Sequence, residues 1–419
     1  MTHKRSEQKF PSVEHDLTGF LKKIWEEGWL DEYSEEHFLI KAINNNLSDI
    51  KWASQFINNN SNSFYTAIKS DGKIDFKQFT SIFLTNFSLR LHAMYLRFGE
   101  HHIKKFIKEQ LSAGKEKYNE DQFFQAMSEI EVLSFFSSRC NWDNILYEPP
   151  LGENASNPEA SFEINQPDNT KIKFNIEVKT PSFTLPTDKQ EELFIPNILL
   201  SNEGREKIKA LCDEYNITCK FPRVTKLVDF INSASKKFRV PQKNEFNLLY
   251  INWSYSDFPS NGFIEAWSLL TNELNGIITH PEIGTKLPFK KPICPEAYKK
   301  ITAIIVYTSS LDQLMFTNFQ HVWQGTDNNV GHRFRMFLLN NKANKEDLFD
   351  FTVMNPDIPK PNCFRCMFSI KPSRHKNKFE FSDKAINIIQ LVEKVQHMLG
   401  FLLFLWYNKS GDENVGKES

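Results

Sequence analysis

The sequence predicts an α/β protein: a central mixed sheet flanked by helices, with an all-helical N-terminal domain and a C-terminal helical extension. Three observations lead there. Residues 1–118 carry apolar side chains at helical spacing and no strand pattern. Residues 160–179 alternate apolar and polar with period two on two arms around a Gln-Pro-Asp-Asn turn. A helix-period stripe over 224–238 then leads into two apolar, strand-like runs at 246–253 and 301–307.

In chain order, Phe20, Leu21, Ile24 and Trp25 make the first helical stripe, and Phe38, Leu39, Ala42 and Ile43 the second. Residues 76–111 read as one long helical stretch with Phe79, Phe83, Phe87, Leu91 and Tyr95 on one face. The Ser70-Asp71-Gly72-Lys73-Ile74-Asp75 segment resembles half a calcium loop. With Gly72 at the sixth position, Ala67 and Gln78 fall where carboxylates are required, so it reads as a turn. From 119 a helix capped by Asn119 or Asp121 carries Phe123, Ala126, Met127, Ile130 and Leu133. An extended segment at 145–148 and a loop rich in Gly, Asn and Ser precede the alternating hairpin. Residues 288–300 read as an insertion or loop, 363–370 as a strand, and 382–407 as a terminal helix before a polar tail. The expected domains are therefore 1–118, 119–355 and 356–419.

The 419 residues suffice for two or three domains and a core built without disulfides. Fifty-one basic against 52 acidic residues leave a net charge of −1, so no general basic excess coats nucleic acid; any such surface is a local patch. The first sixteen residues lack an apolar signal-peptide core, and the apolar stretch at 398–407 is too short for a membrane span. Six scattered cysteines read as reduced thiols. A soluble, cytoplasmic protein with no membrane partner is expected. Cys363 and Cys366 have zinc-like spacing but lack a second pair, and His101-His102 lacks a partner at metal spacing. His332, Arg333, Phe334 and Arg335 form a basic-aromatic segment that reads as a surface loop or strand. No GxSxG, phosphate loop or HExxH is present, so serine hydrolases, P-loop NTPases and zincins have no support.

Chemistry concentrates on the hairpin. Ile172, Phe174, Ile176 and Val178 face one way on its second arm, and Lys173, Asn175, Glu177 and Lys179 the other. On the first arm Ala160, Phe162 and Ile164 are apolar while Glu159, Ser161 and Glu163 are polar. Paired arms that share an apolar core also share the polar face. Directly opposed residues lie about 5 Å apart, which brings two carboxylates and one ammonium within reach of one divalent ion. A solvated edge-strand face with cross-strand ion pairs is the alternative.

Ile176-Glu177-Val178-Lys179 at the end of a strand, behind a short hairpin and a preceding acidic helix, resembles the PD-(D/E)XK nuclease superfamily. The resemblance covers roughly residues 119–310, and the element order helix, three strands, helix, strand agrees with it. It implies a restriction-endonuclease-like sheet, Mg²⁺ or Mn²⁺ as cofactor, and endonucleolytic cleavage of phosphodiester bonds, with double-stranded DNA the expected substrate, in a bacterial defence or restriction setting. Glu177 and Lys179 are then catalytic, with Glu177 and the Val178 carbonyl on the metal. The family's first-arm Asp is replaced here by Ser161, which carries no charge. Either Glu159 or Glu163 takes over, and Glu163 is slightly favoured because its side chain leans along the strand toward Ser161. A helix acid is added in many members; Glu129 and Glu131 both flank the stripe, and periodicity does not choose between them. Lys226, Lys236, Lys237 and Arg239 belong to a basic run over 220–243 in which Asp229 is the lone acid. Beside the site they would contact phosphates; a solvated helix face is the alternative. The N-terminal domain would bind a protein partner or regulate, and a homodimer is compatible with the whole. A protein that kept the fold, lost cleavage with the acid at Ser161, and binds nucleic acid or serves as a scaffold is the second expectation.

Overall fold

The computed structural model describes residues 4–11, 18–46, 76–114, 117–138, 143–153, 156–165, 169–181, 191–194, 202–214, 217–220, 223–253, 266, 269–270, 276–278, 281, 285, 292–307, 334–338, 369–371, 373–375 and 378–380. The 70–75 turn, the Cys363–Cys366 pair and the 382–407 helix lie outside them. The helices are α1 (Gly19–Glu26), α2 (Phe38–Ile43), α3 (Phe76–Phe98), α4 (Glu100–Phe106), α5 (Glu120–Ser138), α6 (Asn202–Glu214), α7 (Val224–Lys237) and α8 (Ala297–Lys300). The strands are β1 (Asn144–Tyr147), β2 (Ala160–Asn165), β3 (Lys171–Lys179), β4 (Glu191–Phe194), β5 (Ile217–Lys220), β6 (Glu245–Asn252), β7 (Ala303–Tyr307), β8 (Phe334–Leu338), β9 (Ser369–Lys371), β10 (Ser373–His375) and β11 (Lys378–Glu380).

Two compact units divide the chain: residues 1–185, 231–260 and 295–356 form the first, and 186–230, 261–294 and 357–419 the second. The first holds a six-stranded mixed sheet in the order β1-β2-β3-β6-β7-β8 with helices against it, the expected α/β class. β1, β2 and β3 run antiparallel, β6 and β7 join β3 in parallel, and β8 closes the edge antiparallel. The second unit holds a three-stranded sheet, β5-β4-β9, the β10–β11 hairpin and α6.

Local sequence accounts for the boundaries. The long helical stretch is broken at Gly99, whose φ of +82° costs a glycine little, and restarts as α4 with Glu100 in its first turn. The Asn119 side-chain oxygen accepts the Gln122 N–H at 3.2 Å, so Asn119 is the cap of α5, with Glu120 and Asp121 complementing the helix dipole.

No core boundary falls at residue 118. Phe38 of α2 stacks on Phe123 of α5 at 5.5 Å, and Phe136 of α5 meets Phe162 of β2 at 5.1 Å and Tyr250 of β6 at 6.0 Å. One apolar core therefore runs from Phe20 through Phe136 to Ile176, Leu248 and Tyr307. The N-terminal helices cover the apolar face of the sheet, whose 2.0-residue period needs an apolar layer opposite it.

His37 shows how tightly those helices are joined. It is buried, its Nδ1 accepts the Leu39 N–H at 3.1 Å, and its Nε2 donates to the Leu111 carbonyl at 2.9 Å. Burial holds its pKa down at about 4, with the Leu111 carbonyl opposing and the Arg5 charge adding to the depression. An unfolded chain takes up this proton near pH 6.5, so the contribution of His37 is complete above that pH and is lost as pH falls toward 4. We expect wild type to lose up to about 3 kcal/mol of stability over this interval relative to His37→Asn, measured by urea unfolding at stepped pH.

Candidate metal and phosphate site

The polar face of the hairpin is present as a buried surface. Ala160 pairs with Ile176 and Ser161 with Asn175, and the Glu159 N–H donates to the Ile176 carbonyl at 2.9 Å. Glu159 is thereby the next residue opposite Glu177, at the point where β2 begins. Both carboxylates are buried. The Lys179 ammonium lies 2.6 Å from Glu177 Oε1, as expected for residues two apart on one strand face. A second ammonium arrives from the last turn of α7: Lys237 Nζ is 2.9 Å from Glu177 Oε1 and donates to Glu159 Oε1 at 3.1 Å. Glu177 Oε2 has no hydrogen-bond partner among the described residues.

The backbone next to this cluster is shaped for close approach. A Cβ on Gly152 would lie 2.6 Å from the Lys236 carbonyl oxygen and 2.8 Å from the Lys237 Cα, so the loop after β1 rests directly on the end of α7. This contact fixes where the Lys237 side chain starts. On β3, the Ile176 carbonyl points to the β2 edge, and alternation sends the Val178 carbonyl to the same edge, beyond the first residue of β2.

Charge defines the site further. Burial, then the Glu177 charge, pushes the Glu159 carboxyl up to about 7, with Lys237 and Lys179 opposing. Burial and then Glu159 push the Glu129 carboxyl well above the usual range; its Oε2 is buried with no hydrogen-bond partner among the described residues. Burial would lower the Lys237 ammonium, but Glu159 and Glu177 outweigh it and raise its pKa. Tyr147 of β1 senses the same cluster: burial, then Glu129, raises its hydroxyl. Three carboxylates thus share two ammonium groups. Glu131 belongs elsewhere, beside the buried Arg90 and Tyr307. The helix acid facing the cluster is Glu129.

Glu163 does not join. It stands opposite Lys173, four residues along β2 from Glu159, or about 13 Å of strand, and its Oε1 pairs with Lys171 at 2.9 Å. The lean that favoured it would have to cross that distance. Ser161 donates to the Asn175 side-chain oxygen and so supplies no charge to the cluster. Lys237 is a member of the carboxylate cluster, paired with Glu159 and Glu177. Arg239 is held by Glu245 at 3.2 Å to both oxygens, while Lys226 and Lys236 are exposed. β6 adds two further polar residues to this face. Asn175 Nδ2 donates to Glu245 Oε1 at 2.9 Å and to Asn247 Oδ1 at 2.8 Å. Glu245 is held below the usual carboxylate range, since the Gln242 N–H, Asn175 and Arg239 outweigh its burial.

Lys237 had a signal in the sequence: Phe230, Ala234 and Lys237 follow i, i+4, i+7, so it continues a buried face of α7. Glu245 and Asn247 interrupt the apolar pattern at the start of β6 in the same period-two phase as Asn175 and Glu177. Tyr147 carried no signal.

Among the described residues no three His, Cys, Asp or Glu side chains gather closely enough to hold a metal ion. The oxygen set is a carboxylate pair with a backbone carbonyl nearby, which fits Mg²⁺, an ion bound through one or two carboxylates while keeping several waters. Also among the described residues, no helix is long and apolar enough to cross a membrane. No family model, curated protein or solved structure matches the chain.

Two outcomes follow. The Glu159 carboxyl binds its proton at about 7 in the folded state and near 4.5 when unfolded, so it costs stability as pH rises through that interval. Glu159→Gln should therefore be more stable than wild type at pH 8 in EDTA, by about 1–3 kcal/mol, and indistinguishable at pH 4. Gly152→Ala should lower the unfolding free energy measured in urea at every pH, by about 1–3 kcal/mol, because backbone must shift to admit the methyl group.

Proposed function

We propose that the chain is a metal-dependent endonuclease with a restriction-endonuclease-like central fold, acting on the phosphodiester bonds of DNA. The observation that carries this reading is the buried Glu159–Glu177 pair, set side by side on adjacent strands with Lys179 two residues beyond Glu177. Beyond burial, the Glu177 charge raises the proton affinity of the adjacent Glu159, a cost that a divalent cation offsets. The order α5, β1, β2, β3, α7, β6, with β6 parallel to β3, supports the same reading.

In this reading Glu159, Glu177 and the Val178 carbonyl would hold Mg²⁺ or Mn²⁺, and Glu129 faces the same cluster from α5. The bound ion would polarise a phosphoryl oxygen and lower the pKa of a coordinated water. Lys179 would stabilise the charge that develops on the phosphoryl oxygens. Exposed Lys226 and Lys236 would contact phosphates.

A second reading is favoured by Ser161, which spends its hydroxyl on Asn175 where an acid would be expected. It describes a nucleic-acid-binding protein that has lost cleavage.

Plasmid and linear DNA incubated with Mg²⁺, Mn²⁺ or EDTA separate the two. The nuclease reading expects metal-dependent nicking that falls at least about a hundredfold in Glu177→Ala and Lys179→Ala. Glu159→Ala should lose it as well and Glu163→Ala should keep it. DNA binding that is indifferent to EDTA, with no cleavage, would establish the binder.

A further inference from the structure

Lys237 is the unexpected member of the cluster. Its ammonium touches both carboxylates, Glu177 at 2.9 Å and Glu159 at 3.1 Å, whereas Lys179 reaches Glu177 alone among the ion pairs of the described residues. It comes from a helix, not from the sheet, and its Cα is pressed in place by Gly152. The side chain is 24% exposed, against 8% for Glu159 and 0% for Glu177, so its head group has a route to solvent that the acids lack. Lys237 holds Oε1 of each acid, and a divalent ion on the same two carboxylates would meet its positive charge at close range.

We propose that Lys237 is a tethered counter-cation that competes with the divalent ion for Glu159 and Glu177, so that metal loading requires its ammonium to move off the pair. This rests on the metal-binding reading above. Without metal, Lys237 neutralises two buried acids that would otherwise repel each other. With metal, its charge is released toward solvent, on the side from which an anionic phosphodiester would approach. Metal affinity is thus weakened in the free protein and recovered when a polyanion offers the displaced ammonium a new partner.

The test uses the full chain and Mn²⁺ as the probe, with free Mn²⁺ followed by electron paramagnetic resonance. Wild type, Lys237→Gln, Lys237→Arg and the double variant Glu177→Gln/Lys237→Gln are compared. Lys237→Gln should bind Mn²⁺ at least about tenfold more tightly than wild type, because a positive charge at contact distance has been removed. Lys237→Arg should stay near wild type, and the double variant should not bind. In EDTA, Lys237→Gln should melt below wild type, and Mn²⁺ should raise its midpoint by more. A variant that unfolds in EDTA and refolds on adding Mn²⁺ supports the proposal; one that stays unfolded overturns it. Equal or weaker Mn²⁺ binding by folded Lys237→Gln, with wild type still binding, overturns the competition and leaves the metal reading intact. Absence of Mn²⁺ binding in both removes the metal reading and this proposal together. Binding by Lys237→Gln alone supports both.

Discussion

Two carboxylates are buried next to each other at the mouth of the β2–β3 ladder, and the surrounding structure answers to that arrangement. An isolated ionised carboxylate in a protein interior is so costly that it is ordinarily protonated or paired. Here the backbone bond from Glu159 N to the Ile176 carbonyl fixes the spacing, and the ladder cannot relax it without losing register. Lys179 is contributed by the same strand, but one ammonium does not balance three acids. The last turn of α7 and the tight Gly152 contact bring the second. Glu129 remains short of a counter-charge, which is why burial and its neighbours drive its proton affinity so high.

Beside this electrostatically unsettled cluster lies a settled one. Asn175, Asn247, Glu245 and Arg239 satisfy one another across β3, β6 and the segment after α7, and Asn247 Nδ2 also reaches the Arg239 and Lys300 carbonyls at 2.8 and 2.6 Å. The Asn247 N–H finds Thr302 Oγ1 at 3.0 Å. A fully satisfied buried network holds one geometry. The contrast along a single sheet face is informative: where polar side chains serve only to hold the strands, hydrogen bonds are complete, and where the carboxylates converge they are not.

Much of the fold could be read from the sequence. Period-two alternation placed β3 over Lys171–Lys179, and the shared polar face followed from pairing alone. Alternation fixes which face a residue occupies, but not which end of the strand meets the ladder's opening. Glu159 and Glu163 were therefore equivalent in the pattern, and only the register of Ala160 with Ile176 separates them. Glu129 and Glu131 were likewise equivalent on α5 until Arg90, from a helix far away in sequence, took one of them. The boundary at 118 failed for a related reason. An amphipathic stripe announces that a helix needs a partner and is silent on whether that partner is another helix or a sheet.

The chain leaves the first unit after residue 185 and returns at 231, so the segment supplying the second unit's first part is spliced between β3 and the half of α7 that carries Lys237. Glu159 and Lys237 stand 78 positions apart for this reason. The entropy of closing such a loop grows only logarithmically, at about 0.6 kcal/mol for each doubling of its length. Once an excursion of this size is tolerated, enlarging or exchanging it costs the parent sheet little. The hairpin and its two acids assemble from neighbouring residues, whereas their shared ammonium waits for the long return. The excursion is therefore a natural position for grafting new sequence.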